Sequence, residues 1–155
     1  MNAQPQAEHA WLEQLVGEWD TEMTYSPGPG EPEATHAGTE TVRSLSVWVA
    51  CEGTMPMPDG KPGRTLMTLG YDLARGKFVG SMMTYLWLYE GTLDAAGRVL
   101  TLEAEGPSMA EEGKTVKYRD AIEVVPPDHR VMTSRCPGPD GEWRLFVTTH
   151  YRRKV

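Results

Sequence analysis

The sequence has few cysteines and no long apolar run. Its 155 residues include only Cys51 and Cys136, and neither lies in a CxxC or Cys/His ligand spacing. A zinc site and a disulfide framework are therefore not predicted, and reduced, partly buried thiols are expected. No stretch of about 18 consecutive apolar residues occurs, so the sequence predicts no membrane-spanning helix and no membrane partner.

Basic residues are also few. Fifteen Lys and Arg stand against 22 Asp and Glu, a formal net charge of −7, which argues against nucleic acid as a partner. Residues 1–10 contain no apolar segment of the secretory type, so a cytoplasmic location is expected. A serine nucleophile elbow, a phosphate-binding loop and a dinucleotide fingerprint are missing, and no cofactor or metal is predicted.

Glycine and proline, in contrast, are abundant, with 16 and 12 residues. So many turn-forming residues favour an all-β chain over a helical bundle. The length fits one domain with a closed barrel around a cavity. We expect residues 1–8 to be a flexible N-terminus and residues 9–155 to form this single domain.

The first folded stretch, residues 9–20, changes its periodicity partway. Four apolar residues recur at helical spacing: Trp11, Leu12, Leu15 and Val16. They predict a short helix, which Gly17 ends because glycine adopts positive φ at low cost. From Trp19 the period becomes two, which predicts a half-buried strand.

About ten short strands are predicted, at the spacing typical of a sandwich or a barrel. A bend is expected near Met83 to Tyr85. Connections after odd-numbered strands are mostly long and rich in Gly or Pro, and those after even-numbered strands are tight. In an up-and-down barrel these two sets lie at opposite ends. The prediction is an all-β, about ten-stranded antiparallel up-and-down barrel with a short N-terminal plug helix at its tight end and a loose mouth. Barrels of this size commonly hold one small ligand.

Several motifs are spread over nearly the whole chain. They are His9-x-Trp11-Leu12-x-x-Leu15-Val16-Gly17-x-Trp19, Gly38-Thr-Glu40, Met57-Pro-Asp-Gly60, Leu69-Gly-Tyr-Asp72, Leu86-Trp-x-Tyr-Glu-Gly91, Tyr118-Arg-Asp120, Asp140-Gly141 and Tyr151-Arg-Arg153. With these motifs the chain resembles an uncharacterised bacterial family of unknown function with a lipocalin-like (calycin-type) barrel. The resemblance implies a plug helix at one end and Trp19 across the barrel floor. It carries no agreed activity, since lipocalin-like proteins include carriers, fatty-acid binders and haem-binding nitrobindins.

Two registers are open for the last strand. Lipocalin-like barrels usually stack a basic side chain from this strand on the indole of the Gly-x-Trp motif, and Arg152 or Arg153 can do so for Trp19. The first choice sends His150, Thr148 and Phe146 inward. The second sends in a more apolar set: Tyr151, Thr149, Val147, Leu145 and Trp143. The first is favoured, because fatty-acid-binding proteins point two polar residues at i and i+2 inward from their last strand.

An inward His150 would suit three roles: a hydrogen bond to a ligand, ligation of a haem iron, or proton transfer. The plain alternative places it on the barrel wall. His9 is expected to be structural, and His36 and His129 to be solvated. Mid-strand charges at Glu90 and Asp120 fit either an internal acid–base pair or cross-strand pairs on the outer wall.

Methionine and aromatic residues cluster near the predicted mouth. They are Met55, Met57, Met67, Met82, Met83, Tyr85 and Trp87. An adaptable apolar pocket, ordinary core filling and a homodimer surface at residues 82–87 all explain this pattern.

The sequence therefore predicts a protein that binds a small, mainly apolar molecule in the barrel cavity. The predicted ligand-binding residues are His150, Arg152, Phe146, Met23, Tyr25, Met67, Met83, Trp87 and Tyr118. Two alternatives stay open. One is an enzyme that acts on a small hydrophobic substrate through an internal His or carboxylate. The other is nitrobindin-like haem binding through His150.

Overall fold

The computed structural model describes residues 6–56, 61–82, 87–108 and 110–155, without the side chains of Met55 and Pro56. In chain order its elements are α1 (Ala7–Glu13), β1 (Gly17–Tyr25), β2 (Ala34–Leu45), β3 (Trp48–Pro56), β4 (Pro62–Asp72), β5 (Lys77–Met82), β6 (Trp87–Leu93), β7 (Val99–Pro107), β8 (Thr115–Val125), β9 (His129–Pro137) and β10 (Trp143–Arg153). The expected bend near Met83 to Tyr85 lies outside the described residues.

The ten strands form one closed antiparallel barrel. Each strand pairs with its neighbours in sequence, and β1 pairs with β10 to close the ring. Closure leaves no sheet edge open to another chain. The prediction of an all-β, ten-stranded up-and-down barrel is confirmed.

Helix α1 covers one end of the barrel. It packs against β3 and β4, and the Trp11 indole Nε1 donates to the Gly97 carbonyl in the β6–β7 turn (3.0 Å). Leu12 in the helix and Leu15 just after it are both buried. The tight connections at residues 46–47, 73–76, 94–98 and 126–128 lie at this end, because they all follow even-numbered strands.

Strand β2 extends beyond the Gly38-Thr-Glu40 motif and begins at Ala34. The extra residues pair with the end of β1, where Tyr25 lies opposite Ala34. Helix α1 in turn ends at Glu13, earlier than its apolar pattern suggested. The pattern extends to Val16 because the turn after the helix also packs on the core.

Gly17 joins the plug helix to β1 under two constraints. Its φ is +139°, and a Cβ at this position would collide with the Arg153 guanidinium. We expect Gly17→Ala to lower the free energy of unfolding by about 1–3 kcal/mol, since it adds both strain and a clash. Gly113→Ala is the matched control, because Gly113 has φ +77° but open space around it. Urea unfolding of both variants measures the difference, and equal losses would contradict the steric argument.

Candidate functional site

The barrel floor is built around Trp19. This side chain is 2% exposed, and its Nε1 donates to the Leu15 carbonyl (2.9 Å). The Arg153 guanidinium stacks on the indole at 4.2 Å from the ring centroid and donates to the Val16 carbonyl (2.7 Å). Arg153 therefore ties the end of the last strand to the plug segment.

This contact decides the inward face of β10. With Arg153 on Trp19, alternation buries Thr149 and Tyr151 inside the barrel. The favoured register, with Arg152 on the indole, is wrong. Arg152 is exposed on the outer wall. His150 lies there too, with its ring stacked on His129 at a centroid distance of 5.3 Å.

The correction removes His150 from the cavity. Its Nδ1 lies 3.0 Å from Nε2 of His129, and its neighbour across the β1 ladder is the exposed Glu22. A haem inside the barrel cannot be held by a ring on the outside. His129 was expected to be solvated, but it is half-buried against His150 and burial lowers its pKa.

Phe146 faces the interior even though the register behind its prediction is wrong. The β9–β10 ladder shifts between Leu145 and Val147, a β-bulge that leaves Phe146 as the extra residue. A bulge re-aims side chains locally. The Phe146 ring packs edge-on against Tyr118, with centroids 6.0 Å apart.

Above the floor lies a buried ion pair that the sequence pattern did not predict. Arg130 is 4% exposed and forms an ion pair with Glu40. Its guanidinium lies between two rings, 4.7 Å from the Trp19 centroid and 4.1 Å from that of Tyr151. Arg130 is the second residue of β9 and Glu40 lies 90 residues away, so no local spacing links them.

Cys51 is close to this pair. Burial raises its pKa to about 12, and the Glu40 charge acts in the same direction. A thiol with such a pKa is protonated and unreactive at neutral pH. Both cysteines are free, with Cys51 buried and Cys136 half-buried.

A second polar group occupies the middle of the barrel. Asp120 is 1% exposed, and its Oδ2 accepts a hydrogen bond from the Tyr89 hydroxyl (2.6 Å). Burial raises the pKa of Asp120, although the neighbouring Ser134 hydroxyl and the hydrogen bond from Tyr89 oppose the shift. Burial and the Asp120 charge also raise the pKa of Tyr89.

Of the two mid-strand carboxylates, Asp120 is internal and Glu90 is on the outer wall. Glu90 pairs there with Arg75 and with Lys77, whose Nζ is 3.0 Å away. Arg119, beside Asp120 in sequence, faces outward and binds Glu103. No basic side chain in the described ranges pairs with Asp120, so an internal acid–base pair with an arginine is not formed.

Three aromatic rings form a cluster toward the mouth. The Trp87 indole stacks on Tyr118, with centroids 4.3 Å apart and an interplanar angle of 22°, and Phe146 closes the other side of Tyr118. Gly106 makes room for the indole, since a Cβ there would lie 2.5 Å from Nε1 of Trp87. The Tyr118 hydroxyl donates to the Pro107 carbonyl (2.5 Å). The cluster is therefore held in place from four strands, β6, β7, β8 and β10.

A cavity of about 470 Å³ lies above these rings, at the end opposite α1. Its walls come from the β1–β2, β7–β8 and β9–β10 connections and from the strand ends beside them. The lining includes Tyr25, Pro27, Val116, Tyr118, Cys136, Pro139, Arg144 and Phe146. Most of these side chains are apolar or aromatic, as is typical of small-molecule sites.

The predicted ligand-binding residues divide into four groups. Tyr25, Tyr118 and Phe146 line the mouth cavity, and Trp87 stacks beneath it. Met23 is half-buried on the row that leads from Trp19 to Tyr25, and Met67 is buried in the core. His150 and Arg152 lie on the outer wall. Met83 lies outside the described residues.

The proposed dimer surface at residues 82–87 is only partly described. Met82 and Trp87 both pack against the core, which agrees with core filling at these two positions. Next to this surface in sequence, Leu88 is 71% exposed.

A hollow of about 680 Å³ also lies on the outer wall, over β6 and β7. It is bordered by charged side chains such as Lys77, Glu90 and Glu103, and several of these already form surface ion pairs. Because it is open and its charges are paired, the hollow is a poorer candidate than the mouth cavity for an apolar ligand.

The described residues contain neither a cluster of metal ligands nor a membrane-spanning helix. No three His, Cys, Asp or Glu side chains there come together as a metal site. No helix in the same ranges is long and apolar enough to cross a membrane.

The comparisons with known proteins agree on the barrel. A family model described as "Protein of unknown function (DUF1579)" matches residues 4–153, whereas no curated protein matches the sequence. Rv2717c from M. tuberculosis has a TM-score of 0.63 at 15% identity, with 99% of this chain and 100% of that chain covered.

Two further solved structures are similar. The S-type phycobiliprotein lyase CPES from Guillardia theta has a TM-score of 0.61 at 15% identity, with 98% of this chain and 94% of that chain covered. EF1p2_mFAP2b bound to DFHBI has a TM-score of 0.51 at 15% identity, with 94% and 98% covered. Identities this low show a common fold alone.

Proposed function

We propose that this chain, which belongs to the DUF1579 family of proteins of unknown function, binds a small, mainly apolar molecule in the mouth of its barrel. The observation that carries the proposal is the cavity of about 470 Å³ whose lining includes the rings of Tyr118 and Phe146, with Trp87 stacked on Tyr118. A protein with a similar barrel is bound to DFHBI, which is consistent with the fold's capacity to hold a small molecule. Dimerisation and a cytoplasmic location stay predictions from the sequence.

The geometry favours a flat, apolar ligand. Rings with fixed orientation offer a stacking surface at little entropic cost, and aromatic contacts add about 0.5–1.5 kcal/mol beyond the area they bury. A charged group on the ligand would gain little from the cavity lining, because the charged side chain there, Arg144, already forms an ion pair with Asp140 (2.6 Å). Native mass spectrometry of the freshly isolated protein would identify a co-purified molecule.

Binding of the neutral dye Nile red tests the site. We expect Phe146→Ala to weaken it about three- to tenfold, because the variant removes one ring of the cavity lining. Leu73→Ala is the control, since Leu73 is an exposed apolar residue in the β4–β5 turn at the opposite end of the barrel. Fluorescence titration should show unchanged affinity for the control. Equal affinities for both variants and the unmodified protein would show that the dye binds elsewhere.

A further inference from the structure

Asp120 is a buried carboxylate, and one of its two oxygens lacks a hydrogen-bond partner among the described residues. Tyr89 donates to Oδ2, and the Ser134 hydroxyl also stabilises the carboxylate. Oδ1 is buried and has no hydrogen-bond partner in the part of the chain that the structure describes. The nearby basic group of the interior, Arg130, is engaged by Glu40 instead. A buried carboxylate oxygen without a partner costs free energy, and such groups call for an explanation.

This polar group lies directly below the mouth cavity. Residues two apart on a strand face the same side and differ in height by about 6–7 Å. Tyr118 and Cys136 line the cavity, and Asp120 and Ser134 are the next inward residues below them on β8 and β9. Tyr89 completes the layer from β6.

We propose that Asp120, supported by Tyr89 and Ser134, is a subsite for a cationic nitrogen, and that the ligand is an apolar amine whose ring or chain fills the mouth cavity. The proposal rests on the function proposed above and names its ligand class. The ammonium group donates to Oδ1 and supplies the positive charge that the described interior does not offer Asp120.

The neighbours of Asp120 favour a cation over a hydrogen-bond acceptor. Tyr89 and Ser134 both stabilise the ionised, accepting form of the carboxyl. The 2.6 Å contact with Tyr89 has the length of an O–H···O⁻ hydrogen bond. Burial acts against ionisation while the site is empty, and a bound ammonium reverses this balance. The net charge of −7 also favours the approach of a cation.

Three probes with the same phenylbutyl body test the subsite: 4-phenylbutylamine, 4-phenylbutan-1-ol and 5-phenylpentanoate. Isothermal titration calorimetry at neutral pH should show that the amine binds about ten- to a hundredfold more tightly than the alcohol, the range expected for a hydrogen bond to a buried charged group. The carboxylate should bind more weakly than the alcohol, because it would place a like charge near Asp120.

Asp120→Asn keeps the shape of the side chain and removes its charge. It should bring the amine to within about twofold of the alcohol, because the neutral amide has no charge to pair with the ammonium group. Tyr89→Phe, which removes the donor to Oδ2, should reduce the amine preference less. Equal binding of amine and alcohol by the unmodified protein would overturn the subsite, and that comparison needs no variant to fold. An Asp120→Asn protein that keeps the amine preference would overturn it as well.

Binding of the alcohol distinguishes failure of the amine subsite from failure of the mouth cavity as a binding site. Alcohol binding that depends on Phe146 but not on Asp120, without any amine preference, would support the mouth cavity and reject the subsite. Absence of binding by all three probes would reject both proposals.

Discussion

Truncation of Trp19 to alanine is expected to lower the free energy of unfolding by about 3–5 kcal/mol. The change removes a buried indole from the barrel floor together with its stacking on Arg153 (4.2 Å) and Arg130 (4.7 Å). It also leaves the Leu15 carbonyl without its donor. Such a loss is a large part of the stability of a typical domain. Urea unfolding followed by circular dichroism measures it.

Trp143→Ala is the matched control for the floor. Arg119 stacks on Trp143 at the same 4.2 Å from the ring centroid, but this pair lies on the outer wall and is partly exposed. An exposed cation–π contact contributes about 0.5–1 kcal/mol, so the control should lose far less stability. Similar losses for the two variants would mean that Trp19 does not close the floor.

Breaking the buried ion pair is expected to be equally damaging. Glu40→Leu leaves Arg130 charged and unpaired in the interior, which costs about 3–5 kcal/mol. Arg130→Met leaves the Glu40 carboxylate charged and unpaired, and it also removes the cation between the Trp19 and Tyr151 rings. Chemical denaturation of each single variant gives these losses.

The double variant separates an uncompensated charge from lost packing. With both charges gone, Glu40→Leu/Arg130→Met should be more stable than either single variant, because no buried charge is left unpaired. The exposed pair of Arg98 and Glu123, 3.1 Å apart, is the control, and Glu123→Leu should cost about 1 kcal/mol or less. Strictly additive losses at Glu40 and Arg130 would show that the two charges are not coupled.

The architecture could be predicted from the sequence because its causes are local. A switch from helical spacing to alternation after Gly17 marks the plug and the first strand. Gly- and Pro-rich segments at short intervals limit the strands, and their unequal lengths separate a tight end from a mouth. The mouth residues Tyr25 and Tyr118 follow from the same alternation, since each shares a row with residues that must face inward.

The polar interior was decided by tertiary structure. Arg130 meets Glu40 and Asp120 meets Tyr89 between strands that are not neighbours in the sheet, across sequence separations of 90 and 31 residues. Alternation allows either face of β10 to point inward, and a shift of one residue exchanges the two sets. Arg153 settled the choice because its guanidinium reaches both the indole and the Val16 carbonyl. The bulge at Phe146 then exchanges the inward and outward positions of the preceding residues of β10, which lie nearest the mouth. Such long-range contacts and local irregularities leave no periodic mark in the sequence, so only the closed barrel shows which side chains share its interior.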